Sequence, residues 1–318
     1  MGYDEYMIAV RVHRYGGPDV ITVDRVPIPE PAQGQALVRV HAAGVGPWDA
    51  LVRSGNSGIA QALPLTLGSD IAGIVERVHG DATEVLQSGD AVFGLTNDSF
   101  TGGYAEYAVA ELASLARKPQ SLSFTDAAGV PVIAVTAWKM LFEHADLASG
   151  QSVLVLGGAG NVGAYAVQLA RNAGATVFAS GSLEDAAYMK SLGASETIDY
   201  KALPLRKHVS GVDVVIDTVG AEAQEAAFEV IKPGGVLVSS VSQPSEDRAK
   251  TCGVRVSFFI VDVPRFELER IAKLIDDGIL KTNLGIVLNL DDARKAHEML
   301  ANTVPHPRGK IVLNTMGA

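Results

Sequence analysis

The feature that most constrains this chain is a glycine-rich segment between an apolar run and a helical pattern. Residues 153–156, Val-Leu-Val-Leu, predict a short buried strand, and Gly158, Gly160 and Gly163 follow it in Gly-x-Gly-x-x-Gly spacing. In a strand–turn–helix unit, the first glycine permits a tight turn, the second lets a pyrophosphate approach the backbone, and the third lets the helix pack on the strand. The start of the helix offers unpaired N–H groups and a positive dipole to phosphate. The pattern therefore predicts a dinucleotide-binding loop.

Glycine motifs of this kind also occur in ordinary loops of α/β proteins, so the surrounding sequence decides. Residues 162–173 are apolar at helical spacing, Gly174 stands where a helix end favours glycine, and another apolar run follows at 176–179. Strand, helix and next strand in this order favour the dinucleotide interpretation over an ordinary loop.

The pattern of apolar and turn-forming residues changes twice along the chain. Up to about residue 127, β-branched runs alternate with Gly/Pro turns, which predicts antiparallel strands at 7–12, 36–42, 71–78 and 104–110. From about 128 to 264, nearly continuous apolar runs alternate with helical segments, which predicts a parallel sheet with strands at 153–156, 176–179, 212–217, 236–241 and 255–261. Residues 265–318 predict two helices and a last strand at 310–314. A chain of 318 residues suits about two domains.

Composition excludes several classes of protein. Hydrophobic residues make up 47% of the chain and charged residues 19%, which excludes a disordered protein. The formal net charge of -10 does not suit nucleic-acid binding, so we expect no nucleic-acid partner. A single cysteine, Cys252, rules out an intramolecular disulfide. The sequence has no run of 18 apolar residues and no signal-peptide pattern, so we expect a cytoplasmic protein that makes no use of a membrane.

Motifs spread over nearly the whole chain carry a family resemblance. They are VHRYGGP at 12–18, LGSDIAG at 67–73, GDAVFG at 89–94, GGYAEY at 102–107, DTVG at 217–220 and KPGG at 232–235. In order and spacing they resemble the zinc-independent, zeta-crystallin-like quinone oxidoreductases of the medium-chain dehydrogenase/reductase superfamily. The resemblance implies an α/β fold. It combines a GroES-like β domain, from residues 1–127 and 265–318, with a Rossmann dinucleotide-binding domain that holds a parallel sheet at 128–264.

The end of the strand predicted at 176–179 bears on the choice of cofactor. An acid at this point would bind the 2′-hydroxyl of NAD, but the sequence here is Ser180-Gly181-Ser182. Two hydroxyl groups and a glycine leave room for a 2′-phosphate, so we expect NADP(H) rather than NAD(H). The nearby carboxylates of Glu184 and Asp185 oppose this preference, and some relatives carry a lysine at the position of Asp185.

The resemblance also implies a set of cofactor contacts. It assigns the nicotinamide to Pro47, Thr136, Phe259 and Val261, its ribose to Val219, Ser240 and Val241, the pyrophosphate to Ala159, Gly160, Asn161 and Val162, the adenosine ribose and its phosphate to Ser180, Gly181, Ser182 and Tyr200, and closure of the site to Lys310. Thr136 could instead be an ordinary helix residue, and Lys310 could be a surface charge.

No zinc is expected. The resemblance implies that zinc-dependent relatives place a cysteine near Gly46, a histidine at Ser69 and a further cysteine near Ala128 or Gly129. Zinc sites need a cluster of thiolate, imidazole or carboxylate ligands, which these positions do not supply.

The activity implied is hydride transfer to a quinone or an α,β-unsaturated carbonyl compound. Conjugation spreads the developing charge that a simple ketone concentrates on its oxygen, so such substrates depend less on a metal. Family position gives weak pocket candidates but no catalytic acid: Trp48, Asp49, Phe100, Tyr104 and Phe258.

Two further expectations concern the protein as a whole. The family often has asparagine where this chain has Gly46, so the alternative function is that of a cofactor-binding structural or regulatory protein without turnover. The apolar strand predicted at 255–261 comes last in the parallel sheet, and an exposed apolar edge favours pairing with a second copy. We therefore expect a homodimer.

Overall fold

The computed structural model describes residues 5–59, 61–80, 86–201 and 204–316, and the chain divides into two compact units. The first unit comprises residues up to Val132, residues 262–278 and the residues from Thr282 onward; the second comprises residues 133–261 and 279–281. The boundaries expected from the sequence, 127/128 and 264/265, lie close to these divisions, and the assignment of a role to each domain stays a prediction. In the described part of the chain, no helix is long and apolar enough to cross a membrane.

The strands and helices are numbered in chain order. The strands β1 to β16 are Tyr6–Val12, Ile21–Pro27, Gln35–Val45, Leu65–Thr66, Asp70–His79, Ala91–Leu95, Tyr107–Glu111, Leu115–Arg117, Ser152–Leu156, Thr176–Gly181, Glu196–Asp199, Val212–Asp217, Ile231–Ser239, Arg255–Phe258, Leu284–Asn289 and Lys310–Asn314. The helices α1 to α9 are Pro47–Ser54, Phe124–Ala128, Pro131–Lys139, Asn161–Asn172, Ala186–Ser191, Ala221–Ala227, Glu246–Cys252, Arg265–Asp276 and Ala293–Leu300. Short 3-10 turns and one π-helical turn at Met140–His144 complete the regular structure of the described residues.

The first unit is built on antiparallel strands, as the alternating sequence predicts. One sheet has the order β2-β1-β4, and the other has the order β15-β16-β3-β5-β6-β8, with β7 also pairing with β3. Every pairing in these sheets is antiparallel except that of β15 with β16. The buried side chains of these sheets are apolar, and Ala9, Val40 and Phe93 are fully buried.

The second unit contains a parallel sheet of six strands in the order β11-β10-β9-β12-β13-β14. This is the order of a doubly wound dinucleotide-binding fold, whose ligands bind where the strand order reverses, here between β9 and β12. Apolar residues of β9, β12 and β13, such as Leu154, Val215 and Leu237, are buried in its core. The α/β fold class expected from the sequence is confirmed.

Three predicted strands extend beyond the strands of the structure at one end. The strand expected at 104–110 begins only at Tyr107, and that expected at 236–241 ends at Ser239. The strand expected at 255–261 ends at Phe258, because the last residue of β13 that pairs with it, Ser239, lies opposite Phe258. Ser240, Val241, Phe259 and Val261 therefore lie in loops at strand ends rather than in strands.

Candidate functional site

The glycine loop of the second unit has the geometry of a phosphate cradle. Gly157 has a positive φ of 76°, and a Cβ atom on Gly163 would lie 2.1 Å from the carbonyl oxygen of Gly157. A Cβ atom on Gly158 would lie 2.8 Å from the Cβ atom of Ala179 on the neighbouring strand. Gly160 is the N-cap of α4, and no side chain caps the helix there. The N–H groups at the helix start thus have no side-chain cap. Such free N–H groups fit the pyrophosphate of a dinucleotide.

The end of β10 borders a cavity of about 480 Å³ in the same unit. Ser180 is buried at the strand end, and the Tyr200 backbone N–H donates to the carbonyl oxygen of Gly181 over 3.2 Å. Ser180, Tyr200 and Lys201 all line this cavity, and the Lys201 ammonium lies 5.4 Å from the centre of the Tyr200 ring. The structure thus brings together two of the predicted adenosine-side residues and adds a cation.

Ser182 and Asp185 interact directly beside this strand end. The Ser182 hydroxyl donates to Asp185 Oδ2 over 2.7 Å, which brings a carboxylate to the segment predicted to meet the 2′ position. From the sequence, the carboxylate of Asp185 is expected to oppose binding of a 2′-phosphate, and its hydrogen bond to Ser182 places it where it would do so.

The remaining predicted cofactor residues of the second unit lie at the carboxyl ends of its strands or on α3. Val219 follows β12, Ser240 and Val241 follow β13, and both valines are about half exposed at 50% and 49%. Thr136 is buried in α3. These contacts stay predictions.

A second group of predicted residues follows β14. The ring of Phe259 stacks on His144 with centroids 4.0 Å apart, and His144 Nδ1 lies 2.8 Å from the Ser257 hydroxyl. Val261 is half-buried, whereas Phe258, the weak pocket candidate of this unit, is 37% exposed.

The first unit gathers the other four pocket candidates. Pro47 begins α1 at the surface, and the Trp48 ring centroid lies 6.5 Å from that of Phe100. The Tyr104 hydroxyl donates to Asp49 Oδ2 over 2.9 Å, with both side chains fully buried. No sequence pattern predicted the hydrogen bond between Tyr104 and Asp49.

Asp49 holds the start of α1. Its Oδ2 atom accepts a bond from the Gly46 backbone N–H over 2.8 Å, while its buried Oδ1 atom has no partner among the described residues. Burial raises the pKa of Asp49 to about 7, against the opposing effects of the Gly46 N–H, Lys310 and Tyr104. Asp49 is therefore a carboxyl group poised to titrate near neutral pH.

A buried ion pair lies beside Trp48. Lys310 is only 2% exposed; its ammonium lies 3.3 Å from Asp70 Oδ2 and 4.4 Å from the centre of the Trp48 ring. Asp70 Oδ1 accepts from the Val132 backbone N–H over 3.1 Å. Burial raises the pKa of Asp70, and the Lys310 ammonium opposes that rise. The alternative of a surface charge at Lys310 is wrong, and its contact with a cofactor stays a prediction.

The positions at which zinc-dependent relatives are expected to carry ligands do not fit a zinc ion. A Cβ atom on Gly46 would lie 2.3 Å from the Trp48 ring, and the Trp48 indole donates to the Ser69 hydroxyl over 3.1 Å. Ala128 offers only a methyl group, and a Cβ atom on Gly129 would lie 3.2 Å from Lys310 Cγ. Throughout the described ranges, no three His, Cys, Asp or Glu side chains cluster so as to hold a metal.

Sequence reasoning missed several buried or cavity-lining residues. Lys201 follows Tyr200 directly, so its position next to a predicted ligand was a usable signal. Asp217 and Ser239, which hydrogen-bond across the ends of β12 and β13, are separated by 22 residues, and only the strand register brings them together.

Known proteins match the chain along almost all of its length. The domain family described as alcohol dehydrogenase GroES-like domain matches residues 32–120, and that described as zinc-binding dehydrogenase matches residues 192–313. A quinone oxidoreductase of Pongo abelii is 32% identical over 96% of this chain and 97% of its own. A 2-methylene-furan-3-one reductase of Solanum lycopersicum is 38% identical over 72% of this chain and 62% of its own. The solved quinone oxidoreductase of Coxiella burnetii superposes with a TM-score of 0.91 at 31% identity, covering 98% of this chain and 99% of that one.

Proposed function

Because the chain belongs to the medium-chain dehydrogenase/reductase superfamily, in its quinone oxidoreductase-like group, we propose that it is a zinc-independent, NADPH-dependent reductase of quinones or α,β-unsaturated carbonyl compounds. Membership makes it an oxidoreductase that uses a nicotinamide cofactor and a small-molecule substrate. The coenzyme, the substrate class and the independence from zinc are the parts proposed here.

The observation that carries the proposal is the cluster around Trp48 in the first unit. Where zinc-dependent relatives are expected to place thiolate and imidazole ligands, this chain has Gly46 and Ser69, and Trp48 bonds to the serine hydroxyl. The positive charge beside this indole is the Lys310 ammonium, which forms an ion pair with Asp70. A hydroxyl group and an indole N–H are not zinc ligands, so this donor set supports chemistry without zinc.

Substrate class follows from what the chain offers to a developing negative charge. A bound nicotinamide supplies the hydride, and the protein has to bind, orient and exclude water. A quinone or an enone delocalises the added charge over its conjugated system, so it makes the smallest demand on a Lewis acid. The printed names of the relatives, quinone oxidoreductase and 2-methylene-furan-3-one reductase, agree with such substrates.

The reaction is tested by following NADPH oxidation against quinones, enones, and saturated ketones of matched size. We expect turnover with the first two groups and at least about 100-fold lower kcat/KM with the saturated ketones, a difference of nearly 3 kcal/mol in transition-state stabilisation. Equal turnover of saturated ketones would contradict the proposed substrate class. Tight NADPH binding without turnover of any compound would favour the structural or regulatory alternative.

The preference for NADPH is supported by the residues at the end of β10 and around its cavity. Ser180 and Gly181 carry no acid, and Lys201 supplies a cation on the cavity wall beside Tyr200. A 2′-phosphate binds well to such a cation, because charge-assisted hydrogen bonds are stronger than neutral ones. The carboxylate of Asp185, which is hydrogen-bonded to Ser182, repels the 2′-phosphate. The preference for NADPH therefore depends on the cation of Lys201.

The coenzyme is tested with two fragments that differ only in the 2′-phosphate, adenosine 2′,5′-bisphosphate and 5′-AMP. Replacing Lys201→Ala should weaken binding of the bisphosphate about 5- to 20-fold in calorimetric titration while leaving 5′-AMP unchanged. The control Lys250→Ala removes a lysine whose side chain is 75% exposed and paired with Asp247. Stronger binding of 5′-AMP than of the bisphosphate by the unmodified protein would reverse the preference to NADH.

A further inference from the structure

A buried carboxylate stands at the point where the strand order of the parallel sheet reverses. Asp217 ends β12, is fully buried, and accepts four hydrogen bonds. Its Oδ1 atom receives the backbone N–H groups of Val219 at 3.0 Å and Gly220 at 2.8 Å. Its Oδ2 atom receives the Gln224 amide and the Ser239 hydroxyl, each at 2.8 Å. Burying a carboxylate is costly unless it is fully hydrogen-bonded, and here the donors come from the turn after β12, from α6 and from the last residue of β13.

Ser239 passes this restraint to the loop after β13. While its hydroxyl donates to Asp217, the same oxygen accepts the backbone N–H groups of Val241 at 3.1 Å and Ser242 at 3.3 Å. Gln224 adds a second link, since its amide also donates to the carbonyl oxygen of Ser242 over 3.1 Å. The segments 217–220 and 239–242 are therefore tied to one carboxylate, and we call them together the switch-point rim.

The switch-point rim lies directly against the glycine loop. A Cβ atom on Gly157 would lie 2.6 Å from Thr218 Oγ1 and 2.9 Å from Val219 Cγ2, and the Thr218 hydroxyl donates to the carbonyl oxygen of Leu156 over 2.7 Å. Beyond this contact the rim presents Val219 and Val241, both about half exposed. A ligand with its pyrophosphate on the glycine loop would meet these two valines next.

We propose that Asp217 and Ser239 are a positioning pair: by holding the switch-point rim in one arrangement, they set how tightly the nicotinamide half of the cofactor binds, and they leave the adenosine half unaffected. The proposal rests on the proposed function, because it takes the dinucleotide as the ligand. Neither side chain is assigned a contact with the cofactor, since both are fully buried.

The chain contains a matched control at the amino ends of strands in the same sheet, opposite the end that holds Asp217 and Ser239. The Ser152 hydroxyl donates to Asp213 Oδ2 over 2.7 Å and accepts the Asp213 backbone N–H over 3.1 Å. This serine–aspartate pair bridges the amino ends of β9 and β12, whereas Ser239 and Asp217 bridge the carboxyl ends of β13 and β12. If a substitution weakened ligand binding only by destabilising the sheet, the effect should be seen on removing either serine hydroxyl.

The test compares Ser239→Ala and Ser152→Ala with the unmodified protein. For Ser239→Ala we expect about tenfold weaker binding of NADPH and no more than about twofold weaker binding of adenosine 2′,5′-bisphosphate, the scale of one lost hydrogen bond that acts on half of the ligand. In the cofactor-free protein, hydrogen exchange at the amides of Val241 and Ser242 should become faster in Ser239→Ala. Ser152→Ala should change neither the binding of the two ligands nor the exchange of these two amides. Asp217→Asn should weaken NADPH binding more than Ser239→Ala does, again with little effect on binding of the bisphosphate.

The outcomes separate the inference from the function on which it rests. Equal weakening of both ligands in Ser239→Ala, or unchanged NADPH binding in that variant, would overturn the positioning pair. An unmodified protein that binds neither NADPH nor NADH would instead contradict the proposed function. Faster exchange at the two amides would then still establish the restraint on the rim.

Discussion

At the scale of single residues, the chain buries several charges and compensates each in a different way. Asp217 is surrounded by four hydrogen-bond donors, and Asp70 has the Lys310 ammonium at 3.3 Å. Asp49 has two donors on one oxygen and none, within the described residues, on the other. A buried carboxylate with an unpartnered oxygen favours the protonated form. Asp49 is therefore a residue at which folding is coupled to pH.

The raised pKa of Asp49 predicts how stability changes with pH. The carboxyl titrates near pH 7 when folded and near its ordinary value of 3.8 when unfolded, so between these values the folded state binds the extra proton. Stability from this group is complete below about pH 4 and is lost as the pH rises to about 7. The variant Asp49→Asn mimics the protonated carboxyl. The free energy of unfolding of this variant, measured by urea denaturation and taken relative to the unmodified protein, should therefore rise between pH 5 and pH 8 by about 2 to 3 kcal/mol. A constant difference across this range would show that Asp49 does not titrate there.

Among the elements of the fold, the glycine loop between β9 and α4 contains one glycine that the backbone requires and another that leaves room for a ligand. Gly163 is needed for the loop itself, because a Cβ atom there would overlap the carbonyl oxygen of Gly157 at 2.1 Å. Gly160 is different: it has a φ of -75°, and its Cβ atom would lie 3.2 Å from the same oxygen. An alanine fits at Gly160 after a small adjustment, but it covers the surface that a pyrophosphate would approach.

Alanine substitutions should therefore act differently at the two glycines. Gly160→Ala should cost only about 1 kcal/mol of stability, as alanine is a poorer N-cap than glycine, and should weaken NADPH binding at least about tenfold. Gly163→Ala should lower both the melting temperature and the affinity, because the turn has to move. Differential scanning calorimetry and calorimetric titration measure the two effects. Unchanged NADPH affinity in Gly160→Ala would contradict the role assigned to the loop.

Elements were predictable from the sequence where one local pattern determined them. The glycine spacing and the apolar runs predicted β9, α4 and β10 in the right order, because backbone geometry and burial on both faces leave a local signature. The ends of β13 and β14 were predicted too long, since they depend on where partner strands stop. Apolar side chains such as Val241 and Val261 continue the pattern past the last pairing, so the sequence alone does not mark the boundary.

The candidate site was predictable only in part, for a related reason. Trp48, Asp49, Phe100 and Tyr104 were grouped by family position, and the structure brings them close together. Their hydrogen bonds could not be predicted, because Asp49 and Tyr104 are 55 residues apart and meet only through the packing of the first unit. The same holds for the 240 residues between Asp70 and Lys310.

For the chain as a whole, one edge of the parallel sheet bears on whether two copies assemble. β14 forms one edge of the six-stranded sheet, and the residues in and after it include Phe258, 37% exposed, and Ile260, 71% exposed. A strand edge with apolar side chains is a template for pairing with another chain. We propose that this edge forms the interface of a homodimer.

Light scattering after size-exclusion chromatography tests the dimer. We expect a mass near twice the 33.3 kDa of one chain, falling toward one chain in Ile260→Glu because a buried unpaired carboxylate opposes association. Leu183→Glu is the matched control, since Leu183 is 72% exposed and lies outside β14. A mass near 33.3 kDa for the unmodified protein would contradict the dimer.

Reduction from a nicotinamide cofactor without zinc is tested by measuring turnover and zinc content on the same sample. The protein is incubated with a strong chelator, dialysed, and assayed with NADPH and a quinone or enone that the unmodified protein reduces. A second portion is reloaded with zinc before the assay. Gly46, Ser69 and Lys310 supply no zinc ligand set, so kcat/KM should be the same in both portions, with far less than one zinc per chain after chelation. Activity that disappears with the metal and returns in proportion to bound zinc would show that the enzyme depends on zinc.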